Sequence, residues 1–114
     1  MTSQRKFDRY NCDGSADLRN QGNGRVWGQL GDISLGGFYV STFGPLPINT
    51  EVRFKIEVEG EVLCGVGVVA TSHPGVGMAV VFNHLASEYQ ETLQRVIHDL
   101  AECGGATAGI GLRI

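Results

Sequence analysis

Hydrophobic residues recur at every second position along most of this chain, then at every third or fourth. Glu51–Val58 alternates most cleanly: Val52, Phe54, Ile56 and Val58 fall on one side, and Glu51, Arg53, Lys55 and Glu57 on the other. Period two with one charged face predicts a half-solvated antiparallel strand. Residues 10–19 alternate more weakly, with Cys12, Ala16 and Leu18 together. A Gly- and Asn-rich turn at 20–24 leads into Arg25–Ile33, which places Val26 and Leu30 opposite Trp27. The pattern breaks at 32–37 and resumes over 37–42. Residues 61–72 put Val62, Cys64, Val66, Val68 and Ala70 on one face, with Gly65 and Gly67 opposite; residues 76–82 align Val76, Met78, Val80 and Phe82.

The period then lengthens. Ser87-Glu88-Tyr89-Gln90 spells a capping box, with Ser87 as N-cap and Gln90 three residues on. Tyr89, Leu93, Val96, Ile97 and Leu100 fall on one helical face, and Gly104-Gly105 ends the run. Six strands with short links followed by one helix predict an all-β protein, a six-stranded antiparallel barrel whose C-terminal α-helix plugs or covers one open end. Residues 1–9 hold no strand pattern and read as a mobile arm, residues 10–103 as barrel plus helix. The Gly-rich tail 104–114 reads as disordered in preference to a short added strand, although Ile110, Leu112 and Ile114 alternate.

A length of 114 residues favours a single domain, and 42% apolar with 18% charged residues is a globular composition. Net charge is −3, yet three of the nine Lys and Arg residues lie between Arg5 and Arg9. Such local positive charge suits a small anion better than a nucleic-acid polymer. Cys12, Cys64 and Cys103 are widely spaced and odd in number, which reads as free thiols in a reducing compartment. No secretory signal follows Met1 and no apolar run reaches about 18 residues, so the expectation is a cytoplasmic protein without membrane insertion. His73, His84 and His98 have no metal-ligand spacing, and no histidine is placed to activate Ser34, so an enzyme is not expected.

Two short strings carry the chemistry. Arg5-Lys6-Phe7-Asp8-Arg9 supplies two guanidinium forks and a point charge; Asp32-Ile33-Ser34-Leu35-Gly36-Gly37 supplies a carboxylate, a hydroxyl and a glycine turn. Guanidinium forks fit phosphate oxygens in pairs, and equally the O6 and N7 acceptors of guanine. The Asp32 carboxylate can accept from guanine N1 and N2 or pin an arginine rotamer, and Ser34 can serve either job. Gly36 and Gly37 permit φ > 0 and bare backbone N–H groups facing a concavity. Each string alone is common; their order and placement give them weight.

With R-x-x-x-R, then 22 residues, then D-x-S-x-x-G, the chain resembles the PilZ domain family. Arg5, Arg9, Asp32, Ser34 and Gly37 match that signature one by one. The stretch Gly75-Val76-Gly77-Met78-Ala79-Val80-Val81-Phe82 resembles the family's glycine-containing last strand. The resemblance implies a bacterial receptor for cyclic di-GMP that needs no cofactor and acts through an unidentified effector protein. It implies ligand binding by Arg5, Arg9, Asp32, Ser34 and Gly37, with Gln4, Lys6, Gly36 and Gly77 in secondary roles. The position of Gln4 bears on whether one ligand or a stacked pair binds. The alternative reading is a protein-interaction adaptor on the same barrel that does not bind nucleotide.

Overall fold

Alternating apolar residues need a closed interior to fill, and the strands supply one by closing on themselves. The protein is described by a computed structural model over residues 7–104. Its elements are β1 (Tyr10–Asn11), β2 (Gly14–Arg19), β3 (Arg25–Ile33), β4 (Gly37–Ser41), β5 (Glu51–Val58), β6 (Glu61–His73), β7 (Gly77–His84) and α1 (Ser87–Gly104). Every pairing is antiparallel, and the ladder runs β2-β3-β4-β7-β6-β5 and back to β2. This is the expected six-stranded barrel, and closure leaves it no continuous open edge. The two-residue β1 adds to β3 beside β2.

The expected first strand, residues 10–19, is in fact two. Asn11 pairs with Asp32 and Ser15 with Gln29, so three residues on one strand face two on the other. The β3–β4 ladder shifts register at the same level, between Leu30 and Asp32. Val26, Gly28 and Leu30 point inward, and unbroken alternation would send Asp32 in after them. The bulge instead turns Ile33 into the core, fully buried, and leaves Asp32 partly exposed.

Inside, Val52, Phe54, Ile56 and Val58 are buried as their alternation predicts, and so are Ala16 and Leu18. For β6 the inward face is the opposite of the valine row: Leu63 and Val69 are fully buried, while Val62 is exposed. Between them Gly65 makes room for the edge of an aromatic cluster, and Gly67 for Val80. Phe38, Phe54 and Phe82 pack with ring centroids 5.2 to 5.8 Å apart. A Cβ on Gly65 would lie 2.6 Å from the His84 carbonyl oxygen and 2.9 Å from the Phe54 ring.

Helix α1 packs against β1 and β6. Since β1 rides on β3, which lies across the barrel from β6, the helix spans the mouth between them. Leu93 and Val96 are buried there with Leu85, and Tyr89, Ile97 and Leu100 are partly buried beside them. The cap sits one residue earlier than expected. The Ala86 carbonyl accepts from the Gln90 N–H at 2.9 Å, and the Gln90 carboxamide donates to the Leu85 carbonyl at 2.7 Å, so Ser87 is the first residue of the helix. Among the described residues, no helix is long and apolar enough to cross a membrane.

Gly65→Ala is expected to destabilise the fold by about 1–3 kcal/mol, because the neighbouring backbone cannot yield to the added methyl. Urea unfolding checks this, with Val62→Ala on the outer face expected to change stability by less than about 0.5 kcal/mol.

Candidate ligand-binding site

The bulge in β3 and the short β1 bring Arg9, the end of the first string, to Asp32 of the second. Tyr10 pairs with Ile33, and one more step of that register sets Arg9 abreast of Ser34. Arg9 Nε donates to Asp32 Oδ1 at 3.2 Å, with both side chains about one quarter exposed. Of the two jobs open to Asp32, holding an arginine is the one seen in this structure. Arg5, Gln4 and Lys6 lie outside the described residues.

Ser34 has a different occupation from either of those expected. Its hydroxyl is buried inside the turn between β3 and β4. It accepts from the Gly36 N–H at 3.0 Å and the Gly37 N–H at 3.2 Å, and donates to the Gly37 carbonyl at 3.4 Å. The Ser34 N–H adds a 2.8 Å bond to that same carbonyl. The glycine N–H groups are therefore satisfied within the turn, not bare. Neither glycine needs left-handed backbone: positive φ occurs at Asn49, Glu59, Gly60 and Gly75 among the described residues. Close approach explains both glycines instead. A Cβ on Gly37 would strike the Val80 carbonyl oxygen of β7, and one on Gly36 would lie 2.8 Å from the Phe7 ring.

These groups border an open cleft of about 320 Å³ lined by Phe7, Arg9, Ser34, Gly36, Gly37, Phe38, Ala79, Val80 and Val81. Its floor is the outer surface of the β4–β7 ladder, where Gly37 pairs with Val81. One wall is cationic and the floor apolar, with Val81 half exposed. Such a surface can take the flat face of a base while a guanidinium meets a phosphate. Sequence reading missed Phe7 and Val81; Val81 stands out only once the Gly37–Val81 register is known. Gly77 is not brought here. It pairs with Ser41 at the far end of the ladder, roughly 13 Å along the strand, where a Cβ would strike the Val40 carbonyl oxygen and lie 2.7 Å from the Tyr39 ring.

Cys12 lies beneath the Asp32 strand end. Its thiol is pushed up to about 12, first by burial and then by the negative charges of Asp32, Glu59 and Asp13. That makes it a structural thiol, inert near neutral pH. Among the described residues, no cluster of His, Cys, Asp and Glu is arranged to hold a metal ion.

The PilZ domain family profile matches residues 3–99, and the chain belongs to that family. No curated protein matches it in sequence. Among solved structures it is similar to the PilZ domain of Escherichia coli YcgR determined with c-di-GMP, at 17% identity and TM-score 0.69, covering 88% of this chain and 93% of that one. The PilZ domain of CeSA from a cellulose-synthesizing bacterium aligns at 22% identity and TM-score 0.61, over 81% and 96% of the two chains. Bacillus subtilis MotI/DgrA, an inhibitor of motility, aligns at 16% identity and TM-score 0.71, over 90% of this chain; the chain spans about half of its length, 54%.

Ser34→Ala leaves the Gly36 and Gly37 N–H groups without their acceptor and is expected to cost about 1–3 kcal/mol in urea unfolding; a change under about 0.5 kcal/mol would count against this role for the hydroxyl. The raised Cys12 thiol favours the folded state while protonated. Its contribution is present below its ordinary value of 9.0 and is lost as pH rises through about 12. Wild type is thus expected to lose stability more steeply than Cys12→Ala over that window, measured by denaturant titration at each pH.

Proposed function

We propose that this chain is a cyclic di-GMP receptor, a non-enzymatic module that draws its N-terminal arm onto the ligand and signals through a protein partner. The observation that carries the reading is the Arg9–Asp32 contact at 3.2 Å beside the Ser34–Gly37 turn, at the wall of an apolar-floored cleft. Family membership supports it, as does the similarity to the YcgR domain solved with c-di-GMP.

The physics runs from charge to order. Cyclic di-GMP is a double anion with two guanine faces. In this reading Arg5 and Arg9 grip its phosphates and guanine edges, with Lys6 adding charge. Asp32 holds the Arg9 plane and offers its remaining oxygen to guanine N–H groups. Gly37 brings β4 hard against β7 so that the base lies on the Val81 floor, and Gly36 keeps the turn low beneath Phe7. Ser34 acts by holding the turn's shape. Gln4 is the position that bears on whether one nucleotide or a stacked pair binds. Ordering residues of the arm costs conformational entropy, which charge-assisted hydrogen bonds offset. The arm's new position is what a partner then reads.

Calorimetry with cyclic di-GMP tests the reading. The wild-type chain is expected to bind, and Arg5→Ala and Arg9→Ala each to weaken binding at least tenfold, about 1.4 kcal/mol. Absence of heat and of thermal stabilisation in the wild type would instead favour a nucleotide-independent adaptor. Unchanged affinity in both variants would remove the arginines from the site.

A further inference from the structure

A second concentration of unusual side chains lies at the opposite end of the β3–β4 ladder, and the family signature uses none of it. Trp27 is 63% exposed, Phe43 86% and Val76 60%. All three lie at one end of the barrel. Gln29 with Ser41 is the last pair of the β3–β4 ladder; Trp27 lies two residues beyond it on β3, and Phe43 two residues beyond it in the loop after β4. The Phe43 carbonyl accepts from the Gly75 N–H at 2.8 Å, and the Val76 carbonyl accepts from the Thr42 N–H at 3.1 Å, which ties residues 42–43 to the turn at 75–76 and sets Val76 opposite Thr42.

A row of arginines continues this surface across β3, β2 and β5. Arg19 pairs in register with Arg25 on one side and Arg53 on the other. Like charges directly opposite one another destabilise a sheet. Arg25 is neutralised by a two-pronged bond to Asp17, at 3.1 and 2.9 Å. That contact also holds the Asp17 carboxyl below its ordinary range. Arg19 and Arg53 make no hydrogen bond or salt bridge with any described residue. They line an open cleft of about 510 Å³ with Asn20 and Gln21, where Glu51 is the one acidic group. A chain of net charge −3 thus keeps two facing guanidinium groups that no described carboxylate bonds directly; Asp17, already bonded to Arg25, acts on Arg19 at longer range, and Glu51 borders the cleft.

We propose that this face is a docking surface for a protein partner that presents an acidic segment: carboxylates enter the Arg19–Arg53 cleft, and an apolar side chain lies against Trp27 and Phe43. Exposed Trp and Arg side by side form the composition of interface hot spots, and unpaired rim charges set orientation and rate of encounter. Two arginines with Asp17 and Glu51 nearby are too few for a nucleic-acid backbone. The surface lies five residues along β3 from Asp32, roughly 16 Å, so a partner docked there leaves the nucleotide cleft open.

The test places a photo-reactive benzoylphenylalanine at position 43, whose exposure leaves the core untouched, in the full chain expressed in the cells that encode it. Irradiation is expected to give a protein adduct whose cross-linked peptide is net acidic. Its yield is expected to fall at least tenfold when Arg19→Glu and Arg53→Glu are combined. Circular dichroism and cyclic di-GMP calorimetry on the charge-reversed chain are expected to match the unreversed one, which separates this surface from the nucleotide cleft. Should the chain bind no nucleotide at all, the adduct still reads the surface. No adduct, an adduct with a second copy of the chain, an adduct with lipid, a non-acidic cross-linked segment, or a yield indifferent to charge reversal would each overturn the proposal.

Discussion

The site depends on one register shift. Strand β3 alternates strictly until Leu30, and then a bulge inserts an extra step before Asp32. Without it the Asp32 carboxylate would face the barrel interior, where an ionised group without its partners is costly by several kcal/mol. With it, Ile33 fills the interior and Asp32 stands outside, where Arg9 reaches it. The break between β1 and β2 answers the same bulge from the neighbouring strand and leaves Arg9, just before β1, on the side of Asp32. Fold and site are joined at this point: the irregularity that interrupts two ladders also assembles the charged pair.

Around that pair the chain spends small residues on proximity. Gly37 brings β4 against β7, Gly36 admits the Phe7 ring, and the Ser34 hydroxyl absorbs the N–H groups that a turn so tight would strand. A turn braced in this way by the barrel is already ordered, so a ligand meeting it has less order to create. The same economy appears inside the barrel, where Gly65 yields space to the Phe54 ring and Gly67 to Val80 and the Val81 backbone.

Much of this was legible beforehand, and the failures have physical causes. Strand β5 was clear because one face is charged and the other is not. For strand β6 the sequence separated the two faces but did not say which turns inward, because both carry valines; the inward one is marked by glycines, whose absence of side chain gives no hydrophobic signal. The bulge at Leu30–Asp32 was invisible because it replaces alternation with irregularity, and irregularity resembles a loop. Ser34 was assigned outward-looking roles because a sequence shows which atoms can bond but not which backbone groups already claim them. The arginine row was scattered over three strands, and its members met only when the registers of β2 with β3 and β5 were known.

The barrel thus offers two chemically distinct ends of one ladder, an apolar-floored cleft walled by Arg9 near Asp32 and an aromatic, basic face by Trp27. The proposed function requires Arg9, held by Asp32, to close on cyclic di-GMP at the first of these. Nitrogen-15 NMR of the labelled chain, titrated to saturation with the nucleotide, addresses it most directly. The account predicts that the Arg9 Nε signal and the amides of Gly36, Gly37 and Val81 shift while the Trp27 indole stays in place. Spectra that do not change, or changes confined to the Trp27 end, would contradict it.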